Sequence, residues 1–171
     1  MKKVGLIILI MSIIGVASDH RFRLGFGVSQ FDISSLMNER SRSYALGYEY
    51  FIQSGATERL SVITQLTTSA KYNKVLMTDI SLMALFRKQI FNNHFVGFGF
   101  QLVHLIQESF DHIDLNSFGI GLHFGYTVEF SDDIQGHLGY TIKKFNERDN
   151  INHNKFCSKS FIGSLKFKIN H

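Results

Sequence analysis

From Arg21 onward, large apolar residues alternate with small or polar ones in blocks, and the blocks recur eight times. Successive side chains of an extended strand point to opposite faces, so this period-2 pattern predicts half-buried β-strands. The runs are 21–29, 43–52, 58–69, 74–87, 94–103, 115–130, 133–145 and 159–169. The sixth is the clearest. Phe118, Ile120, Leu122, Phe124, Tyr126, Val128 and Phe130 share one parity, and Gly119, Gly121, His123, Gly125, Thr127 and Glu129 share the other. Bulky Phe, Tyr, Leu and Ile dominate one face of the runs, with Gly, Ser, Thr and a few charges opposite.

The connections sort by length. The odd-numbered ones, 30–42, 70–73, 104–114 and 146–158, include three long segments, whereas 53–57, 88–93 and 131–132 are short. An even number of strands with short turns at one end and longer loops at the other fits a closed up-and-down transmembrane barrel. The fold class expected is all-β, an eight-stranded antiparallel barrel. The first long loop carries an apolar tip of Ile33, Leu36 and Met37, and loops on a rigid scaffold commonly carry binding.

Residues 1–18, MKKVGLIILIMSIIGVAS, have a basic start, an apolar stretch and a small-residue cleavage pattern. That is the description of a cleaved signal peptide, leaving 19–171 as one barrel domain. Removing Lys2 and Lys3 would lower the formal charge from +4 to +2. With no basic stripe in an exported chain, no nucleic-acid partner is expected. The composition has 17 Phe and 14 Gly with no Pro and no Trp, which suits uninterrupted ladders with aromatics on one side. The single Cys157 cannot form an internal disulfide and reads as a half-buried strand residue.

The interior of an eight-stranded barrel is just wide enough for side chains to fill. Glycines and small polar groups fit there; a phenylalanine from every strand would not. The bulky face is therefore assigned to lipid, and the opposite face to the lumen. The lumenal set includes Arg23, Glu49, Arg59, Asp79, Arg87, Gln101, His123, Glu129, His137, Lys143, Lys166 and Lys168. Strand direction puts Arg23, Glu49, Arg87, Glu129, Lys166 and Lys168 near the end carrying the short turns. Buried charges must pair, so these six are expected to form a lumen plug. Phe91, Tyr126, Phe130, Tyr140 and Phe145 fall near strand ends and are expected to form interfacial aromatic girdles.

The whole mature chain resembles the OmpA/OmpX-type family of small outer-membrane barrels. The resemblance rests on the leader, the strand number, the loop asymmetry and the last strand, where Phe161, Gly163, Leu165, Phe167 and Ile169 keep the outward alternation. It implies a Gram-negative outer-membrane location, a monomer among lipopolysaccharide and other outer-membrane lipid, and insertion by the barrel-assembly machinery. That machinery reads a final strand that often ends in an aromatic, where this chain has Asn170 and His171.

Some barrels of this size modify lipid A, using His and Ser two apart on one strand with a nearby Glu. Here Gly139 follows His137 and Gly125 follows His123 at that spacing, so the pattern fails. Pairing around the 131–132 turn sets His137 near Thr127, which places the two histidines roughly 13 Å out of register at the usual strand rise. Asp111, His112 and Asp114 read as a solvated loop. No catalytic residue, metal or cofactor is therefore assigned. The leading expectation is a non-enzymatic barrel whose outer loops meet a host or cell-surface ligand. The alternatives are a narrow porin-like channel opened by Gly97, Gly99, Gly119, Gly121 and Gly125, a lipid A-modifying enzyme, and a secreted lipocalin-like carrier.

Overall fold

The computed structural model of the chain describes residues 19–33, 36–72, 75–108, 113–146 and 155–169. The expected signal peptide lies outside the described residues. Eight strands are present among them: β1 (His20–Ile33), β2 (Leu36–Ser54), β3 (Glu58–Tyr72), β4 (Val75–Phe91), β5 (His94–Glu108), β6 (Ile113–Glu129), β7 (Ile134–Asn146) and β8 (Lys155–Lys168). Each pairs antiparallel with its neighbour in sequence, and β8 pairs with β1 to close the barrel. Closure leaves no unpaired strand edge, a requirement for a sheet in hydrocarbon.

Three short turns lie at the end where β1 begins and β8 finishes. Gly55 N donates to Glu58 O at 3.0 Å in the first. The second closes through Asn93 at φ 63°, a left-handed conformation that Asn tolerates. In the third, Ile134 N donates to Ser131 Oγ at 3.1 Å. Lys168 N donates to Asp133 O at 2.8 Å, and Ile169 N to His20 O at 2.9 Å, tying the end of β8 to its surroundings. We call this the turn end and the opposite one the hairpin end.

The strands run well past the alternating blocks at the hairpin end, which corrects two of the expected loops. Most of 30–42 is paired ladder, with Gln30 opposite Arg40 and Ile33 opposite Leu36. Ile33, Leu36 and Met37 are therefore strand residues of a tall hairpin, with side chains outside the described set. The 104–114 segment is likewise strand up to Glu108 and again from Ile113. Above an apolar belt neither face contacts lipid, so the alternation fades while backbone pairing continues. Between β7 and β8, residues 147–154 separate the strands.

The face assignment holds. Phe118 is 69% exposed on the outer wall, while Glu49 and Lys166 are fully buried in the lumen. The lumen is not wholly polar, however. Ile63, Met83 and Leu85 form one buried apolar cluster, and Phe31, Met77, Val103, Leu105 and Phe145 form another. Phe145 is thus a lumenal residue and not part of an outer girdle, since it shares its parity with the inward Lys143.

Candidate functional site

The polar lumen at the turn end is organised around one carboxylate. Glu49 on β2 shares its parity with Arg21 opposite it on β1, so its side chain points to the barrel axis. Arg87 reaches Glu49 from β4 as a buried ion pair, and Lys166 Nζ reaches it from β8 at 2.7 Å to Oε2. Ser61 Oγ on β3 donates to Glu49 Oε1 at 2.6 Å. Strands two positions away on either side of β2 therefore meet at one carboxylate, which bridges the lumen.

A second carboxylate sits nearer the rim. Glu129 on β6 accepts from Arg59 on β3, with Arg59 Nη2 to Oε2 at 3.0 Å, and also from the side-chain amide of Gln135. The Arg59 guanidinium lies 4.2 Å from the ring centroid of Phe95, and those of Arg87 and Arg21 lie 5.3 and 5.7 Å from that of Phe51. Such cation–π contacts gain strength where water is excluded.

Of the six expected plug residues, Glu49, Arg87 and Lys166 converge. Glu129 takes Arg59 as its partner instead. Arg23 is buried and pairs with no carboxylate among the described residues; its Nε donates to Ser164 Oγ at 2.8 Å. Lys168 sits half-buried at the rim. Ser61, Arg21, Phe51, Phe95 and Gln135 also line this layer, beyond the six expected plug residues. Their parity on their own strands was the available signal.

Above this layer the lumen stays filled. A Cβ added at Gly97 or Gly99 would meet Leu85 Cδ1 at 3.2 or 3.3 Å. A Cβ at Gly119 would meet the Phe145 ring at 2.7 Å, and one at Gly121 would meet the Gln101 side chain at 2.5 Å. The space the glycines leave is taken by neighbours' side chains. Toward the hairpin end, Lys143 Nζ pairs with Asp79 Oδ2 at 2.6 Å, both buried.

The two lumenal histidines stand much closer than the expected offset of roughly 13 Å between them. His123 is the register partner of Thr141, and Thr127 that of His137, so the backbone offset is as expected. Yet His123 Nε2 and His137 Nε2 are 3.1 Å apart. The reason is the Gly125–Gly139 register pair between them, which leaves both imidazoles free to lean inward along their strands. Thr141 Oγ1 bonds His123 Nδ1 and Thr127 Oγ1 bonds His137 Nδ1, each at 2.8 Å, so all four ring nitrogens have partners. Asp111 and His112 lie outside the described residues, as does the side chain of Asp114.

On the outer wall, aromatic and imidazole rings gather at the turn end. The Tyr48 hydroxyl and His20 Nδ1 are 2.7 Å apart, and Phe91 packs on His94 with ring centroids at 4.0 Å. His94 in turn contacts the Tyr126 hydroxyl. Phe91, Tyr126 and Phe130 thus keep the girdle position expected of them, while Tyr140 lies further along β7 in the apolar belt.

No family model matches the chain, and no curated protein matches it. Solved structures do. Neisserial surface protein A superposes with a TM-score of 0.65 at 12% identity, covering 88% of this chain and 97% of that one. The outer membrane enzyme PagL gives 0.60 at 11%, covering 87% and 99%. Ail, the attachment invasion locus protein of Yersinia pestis, gives 0.53 at 11%, covering 89% and 100%. The chain has the fold of the small eight-stranded outer-membrane β-barrels. Such a barrel turns a soluble protein inside out, which is why its recognisable chemistry lies in the ion-paired lumen and its apolar residues on the wall.

Proposed function

We propose that the chain is an integral outer-membrane barrel of a Gram-negative cell, with a filled lumen and a surface-interaction role at its hairpin end. The observation that carries this reading is the inversion of polarity. Phe100, Leu102, Phe118 and Ile120 are each more than 60% exposed, while Arg23, Glu49, Arg87 and Lys166 are buried. Water would penalise such a wall, and lipid would not. Several layers of side chains across the lumen favour a scaffold over a porin-like channel. The non-enzymatic reading is supported by His123 and His137, whose ring nitrogens are all engaged by each other and by threonines.

The working surface is then the hairpin end, where Ile33 pairs with Leu36 at the top of the β1–β2 ladder. Ail has been solved in complex with a heparin analogue, sucrose octasulfate, so a barrel of this fold can hold a soluble ligand. The test is electrophoretic mobility of the outer-membrane fraction, boiled against unboiled, followed by binding of cells carrying a 33–37 deletion to host surfaces. A boiling-dependent shift with altered binding is the expected result. A soluble protein without a shift would overturn the membrane reading, and unchanged binding would overturn the role of the hairpin.

A further inference from the structure

The inward charges at the turn end do not balance. Arg21, Arg23, Arg59, Arg87 and Lys166 point into the lumen, and Lys168 adds a sixth cation at the rim. Three carboxylates face them. Asp19 lies 3.8 Å from Arg21, Glu129 takes Arg59, and Glu49 serves both Arg87 and Lys166. The other acidic residues of this end, Glu58, Asp132 and Asp133, are exposed in or beside the turns. Arg23 is left over, a buried cation with no carboxylate among the described residues. A buried charge without a counter-charge is costly.

Register sharpens the imbalance. Arg23 and Lys166 are direct partners across β1 and β8, and both side chains point inward. Opposed side chains of one face have Cβ atoms about 5 Å apart, a spacing at which like charges destabilise a sheet. The Arg23 guanidinium is held by its Nε bond to Ser164 Oγ, and its Nη1 is buried without a hydrogen-bond partner. On the other side of Arg23, its register partner on β2 is Gly47. A Cβ at Gly47 would meet no side-chain atom closer than 3.6 Å. The Lys166 ammonium reaches over to the same side, since Nζ lies 2.7 Å from Oε2 of Glu49, two residues beyond Gly47 on β2. An unmatched guanidinium, an ammonium with donors to spare and a missing side chain therefore adjoin one another.

We propose that the lumen binds a halide-sized inorganic anion between Arg23 and Lys166, beside Gly47. Arg23 Nη1 and the ammonium hydrogens of Lys166 not used by Glu49 would supply charge-assisted hydrogen bonds to it. Glu49 does not repel the ion decisively, because Arg87 and Lys166 both offset its charge. Water in the same place would satisfy Nη1 but would leave the charge of Arg23 unmatched. The space over Gly47 suits a monatomic ion and not a bulky organic acid. This goes beyond the scaffold reading, because it gives the filled lumen a ligand of its own.

The test is urea unfolding of the refolded barrel in sodium bromide or sodium gluconate at matched ionic strength, gluconate being the anion too large for the site. An ion that binds only the folded state stabilises it by mass action, so each tenfold rise in bromide above its Kd should raise the wild-type folding constant about tenfold. Arg23→Met keeps the length of the side chain and removes the unmatched charge. It should be at least as stable as the wild type in gluconate, and indifferent to bromide. Lys88→Gln, which alters an exposed cation, should keep the wild-type response. A wild type indifferent to bromide would overturn the site in favour of water. A bromide response that survives in Arg23→Met would overturn it as a general salt effect. Equal destabilisation of Arg23→Met in both salts would also overturn it, by leaving Arg23 a packing role alone. The boiling shift reports folding, and its absence from the wild type would overturn the barrel reading itself. If Arg23→Met fails to refold, the anomalous signal of wild-type crystals grown in bromide decides. A lumenal peak in contact with Arg23 and Lys166 is expected, and peaks on the outer surface alone, an adventitious ion only, would overturn the site.

Discussion

Gly125 on β6 and Gly139 on β7 are direct register partners, and the imidazoles of His123 and His137 close over the gap they leave. A Cβ at Gly125 would lie 2.4 Å from His137 Cε1, and one at Gly139 would lie 2.4 Å from His123 Cε1. Neither ring can retreat without losing its threonine bond.

Gly139→Ala should therefore destabilise the barrel by about 1–3 kcal/mol, the usual range for overpacking. Urea midpoints of the refolded protein read this directly. The double variant Gly139→Ala with His123→Ala removes the clash together with the group that causes it. Its cost should fall below the sum of the two single costs. Strict additivity would show that the glycine pair is not placed for the imidazoles.

Glu49 and Glu129 should respond differently to the same change. Glu49→Gln leaves Arg87 and Lys166 without a carboxylate in a fully buried site, a loss of about 3–5 kcal/mol. Glu129 is partly exposed at the rim beside Arg59, where water can replace the lost partner. Glu129→Gln should cost about 1 kcal/mol or less. Guanidinium midpoints of the two variants should rank in that order, and equal shifts would refute the assignment of Glu49 as the central carboxylate.

The wall was legible in the sequence, and the lumenal partnerships were not. Lipid demands bulk and apolarity at every second residue, so Phe118 to Phe130 declare their face without help from other strands. Parity also tells that Glu49, Arg59, Arg87 and Lys166 point inward. Which of them meet depends on the stagger of the strands around the barrel, and one strand's sequence carries no record of another's height. Hence Glu129 was grouped with the plug while its partner Arg59 was left out. Phe145 shows a different failure. Its parity already placed it beside Lys143 in the lumen, but its aromatic character suggested the girdle. The first hairpin misled because residues 30–33 and 36–42 keep a ladder after the lipid-driven alternation has ended.

The layered lumen predicts an electrical result. Ion pairs around Glu49 block the turn end, Ile63, Met83 and Leu85 fill a middle layer, and the Phe145 cluster lies toward the hairpin end. Planar bilayers with the wild type should show no steady conductance steps. The triple variant Glu49→Ala, Arg87→Ala, Lys166→Ala should also remain closed, because two apolar layers persist. Adding Leu85→Ala and Phe145→Ala should produce openings. Conductance from the first triple variant alone would mean that the apolar layers do not block ions.

The lipid-facing wall predicts a depth-dependent penalty that no soluble barrel would show. Phe100 lies part-way along β5, 62% exposed, and Phe91 lies at the turn-end girdle, 56% exposed. In water either residue would be replaced by lysine at little cost. In a bilayer, a lysine near the midplane costs about 2–4 kcal/mol, and one near the interface about 0–1 kcal/mol. Phe100→Lys should therefore depress the folding midpoint in lipid vesicles far more than Phe91→Lys, although their exposures are similar. The difference should shrink in detergent micelles, where the boundary adapts to the charge. Equal effects in vesicles would mean that exposure alone governs the cost and that the wall does not sit across hydrocarbon.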